Sequence, residues 1–102
     1  MTARRKGVRF EREVADAYAA AGFAVRGLEA AGDHLCLRRD GLTLHSECKR
    51  QERIRLPEWW RQAVDDAPAG AVPVLTVRWN RGEMLTVIRT SDLLRLIGGD
   101  RG

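Results

Sequence analysis

At 102 residues the chain fits one domain and leaves no room for a second with its own core. An apolar content of 44% beside 31% charged residues excludes the composition of a disordered chain. No apolar run approaches the roughly 20 residues that cross a bilayer. The segment Met1–Lys6 lacks a signal-peptide core, so the expectation is a cytoplasmic protein without a membrane partner. The net charge of +4 suits a polyanionic partner, and the basic residues gather in two groups, Arg4 to Arg12 and Lys49 to Arg55.

Phe10, Val14, Ala17, Tyr18 and Ala21 follow a helical stripe, which predicts a first helix over residues 4–21 ended by Gly22. Phe23 to Leu28 reads as a strand, and a second strand begins near Asp33. Arg39-Asp40-Gly41 is a turn signal, and Leu42 to Lys49 forms the return strand of a hairpin. Pro57 suits the first turn of a second helix, whose stripe of Trp60, Ala63, Val64 and Ala67 places Trp60 in the core and leaves Trp59 more exposed. The near-continuous apolar run Ala71 to Val77 predicts a strand buried on both faces. Asn80-Arg81-Gly82 turns into a last strand, Met84 to Ile88, and Ser91 caps a final helix over 92–97. The expected architecture is one α/β domain over residues 1–102, in the order αβββαββα, with a mixed central sheet flanked by helices. Cys36 and Cys48 are too few for a disulfide framework and read as buried thiols.

Residues two apart on a strand share a face, so Glu47 and Lys49 point the same way and Cys48 the other. A three-residue loop Arg39-Asp40-Gly41 pairs Arg38 with Leu42 and brings Asp33 opposite Glu47. A two-residue Asp40-Gly41 turn pairs Asp33 with Cys48 instead and sends Asp33 to the other side. In the first register a divalent cation keeps both carboxylates ionised. Mg²⁺ suits that role because it accepts one or two carboxylates and completes its shell with water and phosphate oxygens. Lys49 then orients the attacking water or stabilises the transition state of phosphodiester hydrolysis. Zinc on His34, Cys36, His45 and Cys48 is disfavoured, because His45 and Cys48 face opposite sides of a continuous strand. His45 shares the face of Glu47 and reads as a satisfied polar residue or a more distant contributor to the site.

Several segments together resemble the archaeal-type Holliday junction resolvases and their phage relatives, within the PD-(D/E)XK nuclease superfamily. They are Arg5-Lys6-Gly7 followed by Phe10-Glu11-Arg12-Glu13-Val14, the step Gly22 to Val25, Gly32-Asp33, Glu47-Cys48-Lys49 and Val72 to Val77. The resemblance covers nearly the whole chain. It implies a restriction-endonuclease-like fold, a homodimer, Mg²⁺ or Mn²⁺ without a small-molecule cofactor, and paired cuts at four-way DNA junctions in recombination and repair. It further implies Glu11, Asp33, Glu47 and Lys49 as catalytic residues, with Asp33, Glu47 and the Cys48 backbone carbonyl as metal ligands. Helical pattern alone does not choose between Glu11 and Glu13, which flank opposite edges of the apolar stripe. Gly32 stands where the motif has proline. The connector after Lys49 and the Trp59-Trp60 pair look closer to phage-encoded relatives, so a bacterial or phage-infected cell is the expected setting.

For DNA contact, Arg4, Arg5, Lys6 and Arg9 form a basic arm that either tracks phosphates or stays solvated. Arg50, Gln51, Arg53 and Arg55 lie just beyond the Glu-x-Lys strand, beside the expected scissile phosphate. Trp59 and Trp79 are candidates for a dimer interface or for stacking on an unpaired base. The alternatives are a nuclease acting on other branched or linear DNA, and a noncatalytic DNA-binding module of the same fold.

Overall fold

The computed structural model describes residues 3–27, 34–50, 53, 55–79 and 81–98, with side chains in the first helix described from Arg9 onward. The elements follow the expected order: α1 (Ala3–Ala20), β1 (Ala24–Gly27), β2 (His34–Arg39), β3 (Leu42–Arg50), α2 (Leu56–Asp66), β4 (Val72–Arg78), β5 (Leu85–Ile88) and α3 (Thr90–Gly98). The strands make one sheet in the order β1-β2-β3-β4-β5. Every neighbouring pair is antiparallel except β3 and β4, which run parallel and are joined through α2. This mixed α/β architecture is compatible with a nuclease-like fold. No helix among the described residues is long and apolar enough to cross a membrane.

Helix α1 ends as its sequence dictates. Gly22 takes φ +92°, a conformation that costs a side-chain-bearing residue more than glycine. The Phe23 N–H donates to the Tyr18 carbonyl and the Gly22 N–H to that of Ala19, at 3.0 Å each, which is the Schellman pattern. The Tyr18 and Phe23 rings meet edge to face at 5.2 Å, adding the apolar contact that accompanies such an end. The chain therefore leaves α1 already aimed into β1.

The pleat divides the core into two layers. Leu35, Leu37, Leu44, Cys48 and Val74 point to one face of the sheet and pack with Phe10 and Val14 of α1. Leu75 and Val77 point to the other face and pack with Trp59 and Ala63 of α2. Strand β4 is thus buried on both sides, as its apolar run predicts. Within the α1 layer, the hydroxyls of Ser46 and Thr76 bond each other at 2.8 Å, satisfying two polar groups that have no access to water.

Four expectations are corrected by the structure. Arg39 pairs with Leu42, so the hairpin closes on the two residues Asp40 and Gly41 rather than on three. Both carry positive φ, 50° and 80°. That is the type I′ geometry, whose twist matches the flanking strands and which Asp-Gly adopts cheaply. Trp59 is the buried tryptophan and Trp60 the half-buried one, because α2 is rotated by roughly 60° from the predicted stripe to set the Trp59–Ala63 pair on Leu75 and Val77. Trp60 sits at the rim, under the Arg89 guanidinium at 5.9 Å. Ser91 does not cap α3, which starts at Thr90 with the Leu93 N–H donating to the Arg89 carbonyl. Of the two thiols, Cys48 is buried and Cys36 only half-buried.

Candidate active site

Glu47 sits on β3 with a β-strand on either side, so its backbone is held twice, by β2 and by β4. Since Leu44 and Cys48 face α1, alternation sends His45, Glu47 and Lys49 to the face covered by α2. The register places His34 directly opposite Glu47 and Cys36 opposite His45, so His34, Cys36, His45, Glu47 and Lys49 all share that face. The Glu-x-Lys pair therefore stands together as the pleat requires, with Lys49 Nζ 3.5 Å from Glu47 Oε1.

The Glu47 side chain is completely buried, with 0% exposure. An ionised carboxylate in such a place costs several kcal/mol unless opposite charge or hydrogen bonds compensate it. Compensation comes from two sides. Lys49 approaches one carboxylate oxygen, and Nδ1 of His34 lies 3.0 Å from the other. The far nitrogen of His34, Nε2, lies 3.6 Å from Oδ2 of Asp66, the last residue of α2. One donor atom from each of His34, Glu47 and Asp66 falls within 4.8 Å of the others, the only such group among the described residues. His45 stacks beside His34 with ring centroids 5.1 Å apart, and its Nδ1 is buried without a hydrogen-bond partner among the described residues. Burial, with His34 adding to it and Asp66 opposing, holds the His45 imidazole below its ordinary pKa and keeps the ring neutral near pH 7.

Of the other expected site residues, those that are described do not join this group. Asp33 and Gln51 lie outside the described residues, as do the side chains of Arg4, Arg5 and Lys6. The pairing that was to bring Asp33 opposite Glu47 is not the one formed, and His34 occupies that position. Glu11 is half-buried on α1, on the α1 side of the sheet, with its Oε1 3.9 Å from where a Cβ on Gly27 would lie. Glu13 is engaged by Arg78 in an ion pair, and Arg78 also lies over the Phe10 ring at 5.7 Å. Cys48 turns its thiol to the α1 layer, 3.8 Å from the Ser46 hydroxyl, while its backbone pairs with Thr76 of β4. Arg9, Arg53 and Arg55 are exposed and Arg50 half-buried at the end of β3, so the connector presents positive charge beyond Lys49. Trp59 is removed from any stacking role by its burial, whereas Trp79 stays partly exposed with its ring against Gly82.

Sequence reasoning weighs His34 only as a zinc ligand and passes over Asp66. The two-residue turn would have identified His34 through simple counting. Asp66 carries no comparable signal, because its approach depends on how α2 crosses the sheet. Neither a scan against protein-family models nor a search of curated proteins found a match to this chain.

Proposed function

We propose that the protein is a divalent-cation-dependent DNA endonuclease, acting most specifically on four-way junctions as a homodimer. The observation that carries the reading is the fully buried Glu47 carboxylate held beside Lys49 on one face of the central strand. Burying an acid and a base together at such a cost is characteristic of sites that use them. The carboxylates of Glu47 and Asp66 suit a hard divalent cation. When bound, the cation supplies Lewis acidity toward a phosphate oxygen and lowers the pKa of a coordinated water. Glu47 holds its charge fixed on a rigid strand, and Lys49 places an ammonium where negative charge develops on the phosphoryl oxygens. Hydrolysis adds water across one P–O bond, and the basic connector of Arg50, Arg53 and Arg55 positions the flanking phosphates without reading sequence.

A second reading, a noncatalytic DNA-binding module of the same fold, is favoured by the 3.0 Å contact of His34 with Glu47, which ties up a carboxylate oxygen. Cleavage of a synthetic four-way junction with Mg²⁺ or Mn²⁺, beside duplex, flap and single-stranded DNA, separates the two. Wild type is expected to cut the junction, and Glu47→Gln and Lys49→Met to bind it without cutting. Binding by wild type with no metal-dependent product on any substrate would leave the noncatalytic reading standing.

A further inference from the structure

We infer that His34, Glu47 and Asp66 together bind one divalent transition-metal ion, so that helix α2 contributes a ligand and the site prefers Mn²⁺ to Mg²⁺. The ion's place in catalysis rests on the endonuclease reading, whereas its ligands rest on geometry alone. The three donors come from three elements: the start of β2, the middle of β3 and the end of α2. Ligands at ~2.1–2.2 Å from one octahedral cation lie ~3 Å apart when adjacent and ~4.3 Å when opposite. Donor atoms already within 4.8 Å of one another need only a small adjustment, and the half-exposed Asp66 at a helix end has the freedom to make it.

The electrostatics favour a cation at this point for a separate reason. Asp65 and Asp66 occupy the last turn of α2, which has no basic residue. The carbonyl end of a helix carries partial negative charge, so carboxylates there are unfavourable unless a positive group is near. Two carboxylates, a helix C-terminus and an imidazole nitrogen thus converge on one small volume. The mixed donor set bears on the metal: Mg²⁺ takes oxygen ligands and dehydrates reluctantly, an imidazole ligand favours a first-row transition ion, and among these Mn²⁺ is the one that also suits carboxylate, water and phosphate.

The test uses the full chain freed of metal and titrated with MnCl₂, following loss of the free-ion electron paramagnetic resonance signal. Wild type is expected to take up one Mn²⁺ per chain. Asp66→Asn and His34→Gln should each bind about tenfold or more weakly, in line with the loss of a ligand, and Mg²⁺ should displace Mn²⁺ only in large excess. Metal-free melting of Asp66→Asn, a change at a half-exposed residue, should match wild type and show that the fold is intact. Absence of Mn²⁺ uptake by wild type overturns the inference, as does undiminished uptake by Asp66→Asn. If Mn²⁺ binds as described and no DNA is cut, the metal site stands and the endonuclease reading falls. If DNA is cut while Asp66→Asn binds like wild type, the reverse holds.

Discussion

Nδ1 of His34 and Oε2 of Glu47 face each other at 3.0 Å across the β2–β3 ladder, both side chains all but sealed from solvent. Because the carboxylate has no exposure, little solvent screening weakens the contact. A double-mutant cycle with His34→Gln and Glu47→Gln in metal-free protein is expected to give a coupling energy of about 1–3 kcal/mol. Chemical denaturation measures it, and additive single effects would show that the two groups do not sense each other.

The rotation of α2 ranks its two tryptophans. Trp59→Ala removes a buried ring from the layer with Ala63, Leu75 and Val77 and should cost about 3–5 kcal/mol. Trp60→Ala touches a half-buried ring under Arg89 and should cost about half as much or less. Urea unfolding of the two variants gives the order, and the opposite order would restore the stripe expected from the helical wheel.

On the other side of the sheet, Ser46 and Thr76 satisfy each other at 2.8 Å. Removing one hydroxyl strands its partner, so Ser46→Ala or Thr76→Val alone should destabilise by about 1–3 kcal/mol. The double variant replaces both polar groups with apolar ones and should recover most of the loss. Thermal melts of the three variants are sufficient to compare them.

The glycines at the two turns should fail differently. Nothing lies within 4 Å of a Cβ placed on Gly41, so Gly41→Ala carries only the backbone cost of φ +80°, about 1–2 kcal/mol, with tryptophan fluorescence unchanged. A Cβ on Gly82 would fall 2.6 Å from the Trp79 ring, so Gly82→Ala should displace that ring and alter its emission. Unchanged emission would place the ring elsewhere in solution.

The helices and strands were legible because their signals are local: the Phe10–Val14 stripe, Gly22 in the left-handed region, Pro57 in the first turn of α2 and the apolar run of β4. The shared face of Glu47 and Lys49 follows from the pleat alone. Hairpin register was less legible, because Asp40-Gly41 can serve a loop of either length, and one residue of difference exchanges the sides of a whole strand. The exposure of Trp59 and Trp60 depends on which side of α2 meets β4, a matter of tertiary packing that amphipathicity leaves open. Asp66 joins the site only because the parallel β3–β4 crossover carries the end of α2 back over Glu47.

The alternation along β3 has a consequence for how this chain can change. Leu44, Ser46 and Cys48 serve the packing layer, while His45, Glu47 and Lys49 serve the polar one. A saturation scan of the strand should therefore show two interleaved tolerance profiles, even positions limited by volume and odd positions by charge and hydrogen bonding. Selection can then rework the chemistry of this strand at every second residue without disturbing the side of the sheet on which α1 rests.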